Sequence, residues 1–144
     1  MAEAALTSGV DHVGLTVPEL AASRAFFTDC LGWRLLGENP AYPAAFVTDG
    51  TIRVTLWQVK DRDNQVPFDR HRNGGLHHLA FRVADLATLH AIHGRVAEWP
   101  GVAVEFAPER NGAGPKIHCM VREPGGNRLE FTCLPQDSAP QTYG

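Results

Sequence analysis

The fold is decided by residues 77–83, which read His77-His78-Leu79-Ala80-Phe81-Arg82-Val83. Apolar residues alternate along this stretch, which predicts a β-strand with Leu79 and Phe81 facing a core. His78 and Arg82 then share the opposite face, where a small residue between them leaves room for a cleft. The same pattern occurs in residues 11–17, Asp11-His12-Val13-Gly14-Leu15-Thr16-Val17.

These two strands begin a longer internal repeat. Residues 11–33 align without a gap on residues 77–99, at an offset of 66 positions that places His12 on His78 and Trp33 on Trp99. Internal repeats indicate modular architecture. Two copies are too few for a solenoid, so we predict a pseudo-twofold pair of half-units.

Each half reads as a βαβββ module, so the chain is predicted to be a single α+β domain. Module one covers about 9–60, a polar linker about 61–75, module two about 76–134, and a disordered tail 135–144. The strands predicted after the helices are residues 45–48 and 52–58 in module one, and 102–106, 117–122 and 128–133 in module two.

Apolar residues at helical spacing predict one helix in each module. In module one Pro18-Glu19 suits a helix start and Gly32 is placed to end the helix. In module two Asp85 is the expected N-cap. Asp49-Gly50 and residues 123–127 are the predicted turns between strands.

The composition is that of an ordinary globular protein, with 44% hydrophobic and 20% charged residues over 144 positions. A net charge of −3 without a Lys/Arg run predicts no nucleic-acid partner. No apolar run approaches the roughly 20 residues of a membrane span, and residues 1–8 are too short and too acidic for a signal peptide. Three cysteines without CxxC spacing fit reduced thiols, so we expect a cytoplasmic protein.

Two further alternating strands supply polar positions for the cleft face. Overlaying residues 54–56 on residues 129–131 makes Thr55 the counterpart of Glu130. The cleft face is then expected to carry His12 with Thr55 from one half and His78 with Glu130 from the other. Two neutral imidazoles and one carboxylate form a facial triad that binds a divalent ion and leaves coordination positions open. Thr55 is a poor ligand, so water or substrate is expected at the fourth position.

Other residues of the same faces are candidates for substrate binding. Trp57 and Arg53 share a face with Thr55, Arg82 shares one with His78, and Arg128 shares one with Glu130. An arginine there could hold a substrate carboxylate bidentately, and the alternative is that these arginines lie solvated at strand ends. We expect Glu130 to act in catalysis, with His118 as a candidate general base because imidazole has a suitable pKa range.

Four motifs carry a resemblance to a known family: residues 11–17, Phe26-Phe27 followed by Leu31-Gly32, residues 76–83, and residues 123–131. With these motifs the chain resembles the vicinal-oxygen-chelate superfamily over about residues 9–134. That superfamily includes glyoxalase I, fosfomycin-resistance proteins, methylmalonyl-CoA epimerase, extradiol dioxygenases and bleomycin-resistance proteins.

The resemblance implies two βαβββ modules that curl into an open, U-shaped mixed sheet around a metal site. It implies His12, His78 and Glu130 as ligands of one divalent ion (Fe, Mn, Ni, Zn or Co). The family's second-strand ligand, a Glu in glyoxalase I-like enzymes, corresponds to Thr55. The resemblance further implies a homodimer in which exchanged modules often complete the site.

Three functions remain open at this point. The first is a glyoxalase-like, metal-dependent lyase or isomerase acting as a Lewis acid on a small substrate with vicinal oxygens. The second is a metal-free binder of an aromatic drug, as bleomycin-resistance proteins are, with Trp57 as a stacking wall. The third is an extradiol-type ring-cleaving dioxygenase, whose signature has a histidine where this chain has His118 and a tyrosine where it has Met120.

Overall fold

The computed structural model describes residues 4–135, so all of the predicted tail after Pro135 lies outside the described residues. The elements, in chain order, are β1 (His12–Val17), α1 (Leu20–Ala25), a π-helical turn (Phe26–Cys30), β2 (Arg34–Asn39), β3 (Ala44–Thr48), β4 (Arg53–Gln58), β5 (Leu79–Arg82), α2 (Leu86–Ala97), β6 (Ala103–Arg110), β7 (Ile117–Arg122) and β8 (Arg128–Cys133). This is a βαβββ order twice over, and the predicted α+β class with two such modules is confirmed. Within residues 4–135, no helix has both the length and the apolar character needed to cross a membrane.

Each module forms its own four-stranded mixed sheet, with strand orders β1-β4-β3-β2 and β5-β8-β7-β6. In both sheets the first strand of the module pairs in parallel with the last strand, and the remaining pairs are antiparallel. The internal repeat therefore appears as one topology used twice. β1 and β5 each lie at an edge of their sheet.

The first helix differs from the prediction of regular helical spacing. It is α-helical only to Ala25 and continues as a π-helical turn, in which the Leu31 amide donates to the Phe26 carbonyl. The wider turn lets the adjacent rings of Phe26 and Phe27 both bury completely. Gly32 then ends the helix with φ +74°, as predicted.

The remaining local predictions are largely confirmed. The Asp85 carboxylate caps α2 by accepting from the Thr88 amide at 2.7 Å. Asp49 closes its turn by accepting from two amides, and Gly50 has φ +97°. The structure adds the strand β2, to which the sequence assigned no residues, and extends β6 to Arg110.

Both sheets turn their apolar faces to one hydrophobic core. This core joins Leu15 and Leu56 of module one to Leu129 of module two. Across the boundary, the rings of Phe27 and Phe81 meet edge to face at 6.4 Å between centroids. Because side chains alternate along a strand, the polar faces of both sheets point away from this shared core.

Candidate functional site

Strand register places Thr55 and Glu130 at equivalent points of the two sheets. Gly14 on β1 is the partner of Thr55 on β4, and Ala80 on β5 is the partner of Glu130 on β8. On the other side of Glu130, its partner on β7 is Met120. Each polar residue thus lies in the inner strand of a parallel pair, flanked by a small residue, as the overlay of the two halves predicts.

The carboxylate of Glu130 is enclosed by two imidazoles. Glu130 is 7% exposed. Its Oε1 lies 2.7 Å from His118 Nδ1, and its Oε2 lies 3.1 Å from His78 Nε2. An ionised carboxylate only accepts hydrogen bonds, so His118 donates from Nδ1 and, while neutral, carries no proton on Nε2. The Phe106 ring packs on His118 at 4.8 Å between centroids and fixes the plane of the imidazole.

The orientation of His78 follows from a chain of hydrogen bonds that begins at Arg128. A guanidinium only donates, so His77 Nδ1, 3.1 Å from Arg128 Nη1, is an acceptor. His78 Nδ1 lies 2.7 Å from His77 Nδ1 and must therefore be the donor of that pair. Desolvation and then the charge of Arg128 lower the pKa of His77, which keeps this acceptor neutral. Neutral His78 consequently directs an unprotonated Nε2 at the Glu130 carboxylate.

In the neutral ring, the lone pair of His78 Nε2 then faces Glu130 Oε2 across 3.1 Å, an arrangement that a cation between the two atoms would stabilise. Two ligand atoms each about 2.1 Å from a metal ion and at right angles to it are about 3.0 Å apart. His78 and Glu130 thus fit two adjacent positions of a divalent-metal site. Across residues 4–135, no group of three or more His, Cys, Asp or Glu side chains is arranged to hold an ion.

The third predicted ligand, His12, lies on the polar face of the other sheet. Its Nδ1 is 2.6 Å from Asp11 Oδ1 and 3.5 Å from Arg53 Nη2. The hydrogen bond from His12, followed by the charges of His12 and Arg53, lowers the pKa of Asp11. His12 therefore donates from Nδ1 and, like His78, presents Nε2. A neighbouring carboxylate that fixes a histidine in this way is typical of the surroundings of metal-ligating imidazoles.

Aromatic rings dominate the polar face of module one. Trp57 packs against Tyr42 at 5.2 Å and Phe46 at 6.0 Å between centroids. Its Nε1 donates to Thr55 Oγ1 at 2.9 Å, and Thr55 is 3% exposed. A Cβ at Gly14 would come within 3.2 Å of the same oxygen, so the glycine leaves the space that Thr55 occupies. Module one therefore has the Thr55 hydroxyl at the point where module two has the Glu130 carboxylate.

The three arginines predicted to bind substrate have different surroundings. Arg53 is exposed beside His12, as described above. Arg82 is exposed and lines a cleft of about 260 Å³ between the modules together with Trp33 and Asp49. Arg128 donates three hydrogen bonds of 2.8 to 3.1 Å to Glu105, and its Nη1 also contacts His77. These contacts leave the guanidinium little freedom to bind a ligand.

Sequence reasoning missed the residues that surround Arg128. Glu105 lies in β6, and Arg70 and Arg122 approach it from the linker and from the end of β7. The hydrogen bond from Arg128 is the main cause of a lowered pKa of Glu105. These residues are far apart in the chain, so no local pattern could have joined them. The one available signal was that Arg122 and Arg128 flank the same predicted turn.

The sequence was compared with models of known protein families and with curated proteins. The sequence model of the "Glyoxalase/Bleomycin resistance protein/Dioxygenase superfamily" matches residues 9–131. No curated protein is significantly similar to the chain in sequence.

Solved structures with the same fold cover most of the chain. A glyoxylase/bleomycin resistance protein/dioxygenase domain from Frankia sp. EAN1pec is 26% identical with TM-score 0.77, covering 92% of this chain and 96% of its own. A lactoylglutathione lyase from Agrobacterium tumefaciens is 24% identical with TM-score 0.66, covering 90% and 96%. The fosfomycin resistance protein FosX from Listeria monocytogenes is 14% identical with TM-score 0.70, covering 92% and 98%. The last two likenesses concern the fold alone.

Proposed function

Since the chain belongs to the glyoxalase/bleomycin resistance protein/dioxygenase superfamily, we propose that it is a metal-dependent enzyme of glyoxalase-like type, a lyase or isomerase of a small molecule with vicinal oxygens. The observation that carries the proposal is the approach of His78 Nε2 and Glu130 Oε2 to 3.1 Å. A buried carboxylate with an unprotonated imidazole nitrogen beside it is a donor set that suits a divalent ion.

The proposed third ligand is His12 of the partner subunit in a homodimer. Within residues 4–135 no three His, Cys, Asp or Glu side chains are placed to hold one ion, so a single chain leaves the proposed third position without a ligand. A second copy that sets its first sheet against the second sheet of this chain would bring His12 and His78 together. The free edges of β1 and β5, which begin at or next to these histidines, support this arrangement.

When bound, the divalent ion would act as a Lewis acid toward two neighbouring oxygens of the substrate. The protein's own contribution is orientation. His118 holds the Glu130 carboxylate in one rotamer, and the chain Arg128–His77–His78 holds the His78 ring. His118 Nε2, unprotonated in the neutral ring, is the group proposed to accept a proton from the substrate.

The proposed walls of the substrate site come from module one. Trp57 offers an apolar face, Thr55 a hydroxyl in place of a fourth ligand, and Arg53 a guanidinium. Arg82 at the module boundary remains a proposed contact for larger substrates. The three cysteines are buried and unpaired, which supports a reducing compartment such as the cytoplasm.

Metal analysis tests the proposal directly. Protein purified without added metal and then titrated with Mn²⁺, Ni²⁺, Zn²⁺ or Co²⁺ should bind one ion per chain, and H78A and E130Q should bind none. Arg110→Ala, an exposed residue at the end of β6, is the matched control and should bind normally. Full metal occupancy in H78A would remove His78 from the site and refute the proposal.

The aromatic cluster Tyr42–Phe46–Trp57 favours a second candidate, a metal-free binder of a flat aromatic molecule. The two candidates differ in one measurement. A binder would hold an aromatic ligand with unchanged affinity in H78A and lose it in Trp57→Ala.

A ring-cleaving dioxygenase would consume oxygen with catechols, which an oxygen electrode detects.

A further inference from the structure

Three guanidinium groups converge on one carboxylate beside the candidate centre. Arg128 takes both oxygens of Glu105, with Nε 3.0 Å from Oε1 and Nη2 2.8 Å from Oε2. Arg70 Nη1 and Arg122 Nε approach Oε1 only to 3.8 Å and 3.7 Å, beyond hydrogen-bond length. One negative charge therefore faces three positive charges, and the surplus lies on Arg70 and Arg122.

The hydrogen-bonding capacity of these two arginines is unused. Within residues 4–135, neither guanidinium donates a hydrogen bond to a protein acceptor. The side chains of Arg70 and Arg122 are 32% and 54% exposed, whereas that of Arg128 is 9% exposed. Glu105 thus fixes Arg128 and leaves the guanidinium groups of Arg70 and Arg122 beside it accessible to solvent.

The cluster lies on the face that carries Glu130. Arg122 on β7 pairs with Arg128 on β8. This pair lies two residues along the strands from the pair Met120 and Glu130, and therefore on the same face of the sheet. Two residues of a strand span about 7 Å, so an anion at the arginines would be within one small molecule's length of the centre. Arg128 also donates to the His77 carbonyl at 3.0 Å, which links the cluster to the strand that carries His78.

We propose that Arg70 and Arg122 form a subsite for an anionic group, a carboxylate or a phosphate, carried by the substrate of the candidate centre. A pair of guanidinium forks matches the oxygen geometry of both groups and binds them by charge-assisted hydrogen bonds. The substrate is then an anion whose charged group sits beside its vicinal oxygens. That a substrate carries this anionic group rests on the proposed function, whereas the binding of a free anion at these arginines does not.

Titration of the chelator-treated protein with inorganic phosphate and, separately, with propionate tests the subsite, because no metal then contributes to anion binding. Arg70→Gln and Arg122→Gln should each weaken binding of the preferred anion about tenfold, the loss of roughly one charge-assisted contact. Arg34→Gln, an exposed arginine on β2 of the other module, is the matched control and should bind as the wild type does. The anion that binds with the lower Kd, phosphate or propionate, identifies whether the subsite prefers a phosphate or a carboxylate.

Glu105→Gln gives a test of opposite sign. The Gln amide keeps one acceptor oxygen for Arg128 and removes the negative charge, so the local positive charge rises and the affinity for the anion should rise several-fold. Wild-type affinity in both arginine variants, or weaker binding in Glu105→Gln, would overturn the inference. Metal stoichiometry measured in the same variants keeps the two proposals apart: anion binding without metal binding refutes only the proposed function, and metal binding without anion binding refutes only the subsite.

Discussion

Removal of the Glu123 carboxylate should weaken the junction between the two modules. Glu123 begins the turn between β7 and β8 and is 1% exposed. Its Oε2 accepts from Ser23 Oγ of α1 and from the Gly125 amide, both at 2.8 Å. Its Oε1 accepts from the amide and side chain of Asn127 at 3.2 and 2.9 Å. One side chain thus holds its own turn closed and ties module two to the first helix.

The expected cost follows from what is left behind. In Glu123→Ala four donors lose their acceptor, each unsatisfied buried donor costs about 1–3 kcal/mol, and these costs overlap. A total of about 3–5 kcal/mol is expected, because several neutral donors lose one shared acceptor. Because a domain of this size is stable by about 5–15 kcal/mol, the change should be easily measured. Ser23→Ala, which removes only the contact between modules, should cost about 1 kcal/mol.

Urea unfolding of the two single variants and the double variant gives the coupling between the modules. Ser23 and Glu123 should show a coupling energy of about 1–2 kcal/mol. Glu98→Ala is the matched control: Glu98 is exposed at the end of α2, so its loss should change the free energy of unfolding by less than about 0.5 kcal/mol. A similarly small change in Glu123→Ala, or additive single effects, would refute the reasoning.

Three further predictions concern single residues. His118→Gln should weaken metal binding about 10–100-fold in a chelator competition without changing the stoichiometry at saturation, because it disturbs the residue that orients Glu130; unchanged affinity would contradict its role. Burial raises the pKa of Cys119 to about 11, so the thiol should resist a thiol reagent at pH 8 in the folded protein. Since the folded thiol keeps its proton to higher pH than the unfolded one, the free energy of unfolding should also fall as the pH rises from about 9 toward 11. Burial raises the pKa of Cys30 and Cys133 too, so Cys119→Ser should make this fall shallower, and an unchanged slope would contradict the role of Cys119. The hydrogen bond from Thr88 lowers the pKa of the α2 cap Asp85, so its stabilisation is present above the unfolded pKa and is lost as the pH falls through the folded pKa. Asp85→Ala should therefore lower Tm at pH 7 and match the wild type in strong acid, and an equal deficit at both pH values would count against the cap.

Local patterns were enough to predict most of the fold. Alternation identified β1 and β5, the gap-free repeat paired the modules, and the caps and turns at Asp85 and Asp49 follow from short-range hydrogen bonds. The strand β2 was missed because a register shift between Leu35 and Gly37 interrupts its alternation and leaves neighbouring leucines exposed. β6 extends further than predicted for a similar reason, since two shifts break its pairing with β7.

The candidate site was only partly predictable. Period-2 alternation tells which residues share the face of one sheet, and it brought His78 and Glu130 together. It does not tell how the faces of the two sheets lie relative to one another, so whether His12 and His78 meet depends on tertiary packing and on assembly. The arginines around Glu105 likewise depend on how the linker returns to the sheet, which no sequence spacing records.

In the proposed homodimer each of the two metal centres takes ligands from both copies of the chain, and a mixture of two variants that do not bind metal tests this arrangement most directly. H12A and H78A should each bind no stoichiometric metal alone. Co-expressed with different tags and isolated as the mixed dimer, they should bind one ion per dimer, because one of the two shared sites then keeps both histidines. A mixed dimer that binds no ion would show that His12 and His78 do not meet across subunits, and the account of the shared centre would fail.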